Sequence, residues 1–181
     1  IATFLDGARL WNASVASGRT VAELARPFDL VAVSLSKGLG APGGSLLAGP
    51  RELIARARRQ RRMLGGAMRQ VGIFAAAGLH ALDHHLPQLA LDHAHARLVA
   101  ERLVQSARVV LDLATVQTNI VVFGLGAGAP DAAALVAQAR ARGVWVNALG
   151  ARTIRALTHL DVSREHCIAA AQALAAIVDG H

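Results

Sequence analysis

Two short apolar runs near the start of the chain, each cut off by polar residues and glycine, leave few folds open. Residues 1–5 close on Asp6-Gly7-Ala8-Arg9, and residues 29–34 run into Leu35-Ser36-Lys37-Gly38-Leu39-Gly40-Ala41-Pro42-Gly43-Gly44. Runs this short, bounded by turn residues, read as buried strands rather than helices. Between them, residues 10–16 read as a short turn or helix. Thr20 reads as the cap of a helix that continues to Ala25 and stops before Pro27, because the residue preceding a proline is pushed out of the helical region. Residues 45–48 read as a third strand. Strand, helix and strand in that order, with polar residues gathered at strand ends, predict an α/β sheet that carries its site at those ends.

Further along, Pro50 opens a basic helix to about Leu64, Gly65-Gly66 interrupts it, and helical periodicity resumes over residues 68–84. Pro87 opens a long amphipathic helix to about Gln105, and the domain boundary is expected there: residues 1–86 in one domain, residues 87–181 in a small α+β domain. In the second part, residues 109–113, 119–123, 144–148 and 153–157 read as strands. Residues 132–142 read as a helix, and residues 163–178 as another, capped by Ser163. Gly124, Gly126 and Gly128 follow a strand but lack the spacing of a dinucleotide-binding loop, and read as a turn.

With 54% hydrophobic and 17% charged residues the chain can bury a sizeable core. No apolar run is long enough to read as a membrane span. The opening Ile1-Ala2-Thr3-Phe4-Leu5-Asp6 carries neither an initiator Met nor a basic secretory n-region, and reads as a cut inside a longer protein. The single Cys167 can make no internal disulfide, which suits a reducing cytoplasm. A net charge of +7 invites a nucleic-acid partner, because clustered Arg neutralises phosphates. The kind of basic residue is more telling than the sum. Of nineteen Lys plus Arg, only Lys37 is lysine. Arginine supplies positive charge as well as lysine does, but a guanidinium stays protonated and cannot act as the amine that attacks a carbonyl.

Asp6 and Lys37 each stand at or just past the end of a strand, and in a parallel sheet such ends lie side by side. A lysine that condenses with an aldehyde cofactor and a carboxylate that pairs with a protonated pyridine nitrogen are the two protein groups a pyridoxal-phosphate site needs. Ser34, Ser36 and the loop amides beside Lys37 are candidates for holding a phosphate.

Asp6-Gly7-Ala8-Arg9-Leu10-Trp11-Asn12-Ala13, the loop from Ser34 to Gly44, Gly65-Gly66-Ala67-Met68-Arg69-Gln70, and Arg155-Ala156-Leu157-Thr158-His159 together resemble the L-threonine aldolase family in order and spacing. The resemblance covers essentially the whole chain. It implies a fold-type I pyridoxal-phosphate enzyme, here the C-terminal part of its large cofactor-binding domain followed by the small C-terminal domain. The implied reaction is cleavage of L-threonine or L-allo-threonine to glycine and acetaldehyde. By position, Lys37 matches the cofactor lysine and Asp6 the pyridinium partner. Arg9 and Arg155 match the arginines that hold the substrate carboxylate, and Arg69 matches an arginine near the cofactor or the subunit interface. The resemblance also implies a cytoplasmic homotetramer built from dimers. The family's ring-stacking and base histidines and its main phosphate loop belong to an N-terminal third outside these residues, so the 181 residues alone are expected to bind cofactor poorly and to be inactive. Two positions depart from the family pattern: Phe4 stands where His is frequent, and Ala67 replaces a glycine, which adds a methyl in the turn before Arg69.

Other readings stay open beside this one. An Asp-Gly pair after a strand is a common turn cap, Arg155 also fits an edge-strand charge, and Arg9 a surface ion pair. A different fold-type I enzyme, a β-eliminating lyase or an aminotransferase relative, uses the same lysine and carboxylate. Arg51, Arg58 and Arg62 share a helix face, which keeps an Arg-rich nucleic-acid-binding domain as the alternative from another class. Against it, the chain has no Tyr and only 3% aromatic residues with which to stack bases. His80 and His84, one helical turn apart with His85, His93 and His95 nearby, resemble half of a zinc site but lack a third ligand at a telling distance.

Overall fold

A computed structural model describes residues 1–181. The chain forms two compact units, Ile1–Leu89 and Ala90–His181.

In the first unit β1 (Phe4–Gly7) and β2 (Leu30–Ser34) run parallel, with Asp6 opposite Ala32 and Gly7 opposite Val33. On the far side of β2, β3 (Ser45–Ala48) runs antiparallel, giving the order β1-β2-β3. The first strand differs from its sequence reading. It begins at Phe4, includes Asp6 and Gly7, and is not buried: it lies at the sheet edge with Phe4 57% exposed. Gly7 is required by close approach, since a Cβ there would stand 2.6 Å from the Ala32 carbonyl oxygen. The opposite ends of the two parallel strands are tied by Asp29, whose Oδ2 accepts from the Thr3 amide at 2.7 Å and the Thr3 hydroxyl at 3.0 Å.

The strands are joined by α1 (Leu10–Ser17), which ends at Gly18 in the left-handed region, and α2 (Val21–Ala25). Thr20 and Glu23 form a capping box at the start of α2, satisfying two amides that a helix N-terminus otherwise leaves open. After β3 come α3 (Arg51–Met63) and α4 (Gly72–His84). The second of these starts later than periodicity predicts. Gln70 has φ of 57°, and a left-handed residue cannot belong to a right-handed helix. The buried apolar cluster of this unit is small, consisting of Leu35, Leu39, Ala41, Ala81 and Leu89. Around α3 and α4, Met63, Leu64, Met68, Val71, Ile73 and Leu79 stay exposed.

The second unit takes up most of α5 (Gln88–Leu103), followed by β4 (Val109–Val110), β5 (Ile120–Leu125), α6 (Ala132–Ala141), β6 (Asn147–Gly150), β7 (Thr153–Leu157) and α7 (Arg164–Asp179). Its sheet has the order β4-β5-β7-β6, antiparallel throughout. Three boundaries move. The first strand stops after two residues because the Asp112 carboxylate accepts from the Ala114 amide and folds Leu113–Thr115 into a 3-10 turn. Gly124 lies inside β5, opposite both Val110 and Thr153, so the turn comprises only the residues after Leu125. The sixth strand starts at Asn147 and not at Val144, whose amide donates to the Ala139 carbonyl and binds it to the end of α6.

This unit has the larger core, with Phe123, Leu135, Ile154, Leu174 and Ile177 buried at its centre. Each such side chain contributes about 1.5–3 kcal/mol on burial. Asp131 and Ser163 cap α6 and α7 through their side chains, and α7 closes on left-handed Gly180. Cys167 packs in the core, where burial, followed by the nearby Asp92 charge, pushes its thiol up. It therefore packs as a neutral thiol, without the thiolate that nucleophilic chemistry needs.

Candidate functional site

The parallel pairing of β1 and β2 sets Asp6 beside Ala32, and the chain then leaves β2 at Ser34 to form the loop that carries Lys37. Asp6 is exposed at the strand end, and its Oδ1 accepts from the Ala8 amide at 3.2 Å. The turn-capping role open to an Asp-Gly pair is thus real. It uses one carboxylate oxygen and leaves Oδ2 for another partner.

The lysine loop is held from several directions. The Leu35 amide donates to the Gly44 carbonyl, the Ala41 amide to the Leu35 carbonyl, and the Gly40 amide to the Lys37 carbonyl. Leu35, Leu39 and Ala41 point into the buried cluster, while Ser36 and Lys37 face out. At Gly38 there is no room for a side chain: a Cβ would stand 2.8 Å from Asn12 Oδ1 and 2.9 Å from Leu89 Cδ2. Gly40 and Gly44 have φ of 66° and 105°, a region L-residues rarely occupy, so glycine is what lets the loop reverse. The outcome is a primary amine presented to solvent on a loop whose apolar residues are locked beneath it.

The phosphate expectation changes in one respect. The Leu35, Gly40 and Ala41 amides are consumed inside the loop and are not available as an anion nest. Beside the lysine, the hydroxyls Ser34 Oγ and Ser36 Oγ stand 3.4 Å apart. Ser34 is fixed by Trp11, whose indole Nε1 donates to the Ser34 carbonyl at 3.2 Å. Trp11 belongs to the Asp6 motif, but its link to the lysine strand could not be read from spacing alone.

Arg9 is the N-cap residue of α1, three positions past Asp6, and is partly buried. Arg69 is exposed in the segment between α3 and α4. The alanine at position 67 does not strain that turn: it has no left-handed φ and lies exposed, whereas Gly65 before it does need φ of 75°. In the second unit Arg155 sits on β7 between Val122 of β5 and Asn147 of β6. It is therefore on an interior strand, which removes the edge-strand reading. Its neighbour Ile154 points into the core, so Arg155 projects from the opposite sheet face.

A well-formed cavity lies in the second unit. It has a volume of about 560 Å³ and is lined mostly by apolar residues such as Val121, Ala156, Ala170 and Leu174 in the second unit. Val121 and Ala156 are on the core side of the sheet, away from Arg155, so this cavity is not assigned to the lysine chemistry. His80 stacks against His84 and His85 with ring centroids 4.4 and 5.3 Å away, and no group of three or more His, Cys, Asp or Glu side chains is arranged to hold a metal ion. The basic helix α3 has no buried residue.

Comparison with known proteins bears on this arrangement. The beta-eliminating lyase family matches residues 1–125. The low specificity L-threonine aldolase of Escherichia coli O157:H7 is 45% identical over 165 residues, covering 91% of this chain and 47% of that protein. Among solved structures, a threonine aldolase from Leishmania major superposes with a TM-score of 0.70 at 20% identity, over 97% of this chain and 51% of that one. A ureidoglycine-glyoxylate aminotransferase from Bacillus subtilis superposes with a TM-score of 0.66 at 14% identity, over 98% of this chain and 52% of that one. The chain thus spans about half the length of the relatives it matches. The structural likenesses show a fold-type I architecture, shared by enzymes of different reactions. With the family match extending from β1 through the lysine loop and the three helices after it to the end of β5, the chain belongs to the beta-eliminating lyase family.

Proposed function

We propose that this chain supplies the lysine-bearing part of a pyridoxal-phosphate-dependent aldolase that cleaves L-threonine or L-allo-threonine to glycine and acetaldehyde. The observation that carries the reading is the register of β1 against β2, which sets Asp6 at the strand edge beside the exit to a locked loop exposing Lys37, the one lysine of the chain. The 45% identity to an L-threonine aldolase supports the choice of substrate.

The residues present fit the cofactor by their chemistry: one exposed amine, one carboxylate with an oxygen to spare, and a pair of hydroxyls on the same loop. Pyridoxal phosphate, when bound, supplies an aldehyde that an amine can engage and a ring that accepts the electrons of a breaking bond at Cα. Lys37 would be the amine that engages that aldehyde, Asp6 would keep the ring nitrogen protonated, and Ser34 with Ser36 would donate to the phosphate. Arg9 and Arg155 are each candidates to pair with the substrate carboxylate, as the resemblance implies, since a planar guanidinium pairs with it through two parallel bonds. A carboxylate fixed in this way limits rotation about the amino acid and so decides which bond at Cα is cleaved. Arg69 lies near the cofactor or a subunit contact in this reading.

Residues 1–86 then form the C-terminal part of the large cofactor domain and residues 87–181 the small domain. The assembly is a homotetramer in this reading, with the exposed apolar residues around α3 and α4 as candidate subunit contacts, and the single Cys167 suits a reducing cytoplasm. No helix is long and apolar enough to cross a membrane. A second reading, another amino-acid reaction on the same cofactor, draws support from the structural likeness to an aminotransferase.

The test is acetaldehyde release from L-threonine by the chain extended upstream to the length of its relatives, supplied with pyridoxal phosphate, beside Lys37→Arg. Release that the substitution abolishes supports the aldolase. Cofactor bound at Lys37 without release moves the chain to the second reading.

A further inference from the structure

The lysine loop is clamped by side chains on both sides of Lys37, and only one clamp belongs to the motif that carries Asp6. Before the lysine, Trp11 donates to the Ser34 carbonyl. After it, Nδ1 of His85 lies 2.7 Å from the carbonyl oxygen of Leu39, a residue fully buried and two positions past Lys37. A carbonyl can only accept, so Nδ1 carries the proton. His85 is partly buried and closes the C-terminus of α4, where its own amide donates to the Ala81 carbonyl at 2.9 Å. The His80 ring packs edge-on against it with centroids 5.3 Å apart, which limits rotation of the imidazole. The backbone–backbone hydrogen bonds of the loop join it to itself and to Gly44. The His85 bond reaches the loop from a helix that follows the lysine in sequence.

We propose that His85 is a positioning residue for Lys37: by donating to the Leu39 carbonyl it fixes the C-terminal half of the loop, and with it the direction of the lysine amine. The inference rests on the reading of Lys37 as the cofactor lysine. Without the donor, a buried carbonyl is left unpaired or the loop moves to find water, and both shift Lys37. A residue that only stabilised α4 would not change the lysine loop selectively.

The experiment compares His85→Leu, which removes the donor, with His85→Asn, whose side-chain N–H falls near the place of Nδ1, in the upstream-extended chain. Amide hydrogen exchange of residues 37–41 is measured without cofactor, followed by pyridoxal-phosphate affinity and then kcat and KM for L-threonine. His85→Leu is expected to speed exchange in the loop, weaken cofactor binding about tenfold and lower kcat with KM for threonine little changed. His85→Asn is expected to restore most of each. Ordinary exchange and affinity in His85→Leu, or equal impairment in both variants, overturns the proposal. If His85→Leu does not fold, His85→Gln takes its place as a variant whose donor is displaced along a longer stem, and the same comparison with His85→Asn decides. Should the unsubstituted chain bind cofactor and release no acetaldehyde, the substrate reading falls, while exchange and cofactor affinity still judge His85.

Discussion

Replacing Gly38 by alanine adds one methyl next to the reactive lysine, and the structure says where it goes. The new Cβ would stand 2.8 Å from Asn12 Oδ1 and 2.9 Å from Leu89 Cδ2. Neither neighbour is the free end of a surface side chain: Asn12 is 1% exposed and Leu89 is fully buried. Overpacking of this kind costs about 1–3 kcal/mol. The loop relieves it by lifting away from Asn12 and Leu89, carrying Lys37 with it. If all of that penalty falls on the cofactor-bound arrangement, affinity for pyridoxal phosphate drops by roughly 5- to 150-fold. Titration of the upstream-extended chain with the cofactor, followed by absorbance, measures the affinity, and urea unfolding measures the stability change as a shift of midpoint at constant slope. Gly72→Ala is the control, because a Cβ at that position meets nothing within 4 Å and alanine is the better helix former. Gly38→Ala matching Gly72→Ala in both stability and affinity would refute the claim that this loop is packed rigidly beneath Lys37.

Other consequences follow from the geometry. Phe123→Ala, in the centre of the larger core, is expected to destabilise the protein by about 3–5 kcal/mol in urea unfolding, far more than a substitution on the exposed face of α3. Hydrogen bonds from the Thr3 amide and then the Thr3 hydroxyl hold the Asp29 carboxyl below its ordinary range. Because the folded value lies below the unfolded one, its stabilisation is full above the ordinary carboxylate range, near pH 4, and is lost as pH falls through the folded value. The protection factors of amides at the start of β1, corrected for intrinsic exchange, should therefore fall at acid pH, and Asp29→Asn should remove that dependence. Arg155→Lys keeps the charge and loses the fork, so KM for L-threonine should rise about tenfold or more, with cofactor affinity unchanged.

The first fifty residues were legible because strand, cap and turn signals there agree. Thr20 as a helix cap, the stop before Pro27, and the third strand at Ser45–Ala48 all appear as the sequence reading has them. The misread boundaries are those set by a single local bond. Asp112 ends a strand by bonding Ala114, Val144 is drawn to the end of α6, and Gln70 takes a conformation that side-chain periodicity does not encode. Within these residues β1 pairs with β2 alone and is largely exposed, which an apolar run does not encode. Within the candidate site, the spacing of Asp6 and Lys37 and the parallel register that sets their strands together were readable. The clamps were not. Trp11 and His85 reach carbonyls 23 and 46 positions away in sequence, and contacts of that separation leave no periodic trace. The consumption of the Gly40 and Ala41 amides was hidden as well, because glycine content indicates a loop's freedom but not which amides it spends on itself.

The central claim is that Lys37 is the residue to which the cofactor is joined. Its most direct test is reduction of the cofactor-loaded, upstream-extended chain with borohydride, followed by peptide mapping. The account predicts a pyridoxyl group fixed to Lys37 and a lost tryptic cut at that position, with no labelled peptide in Lys37→Arg. Label on a different lysine, or none on a chain shown to be folded and exposed to cofactor, would contradict it.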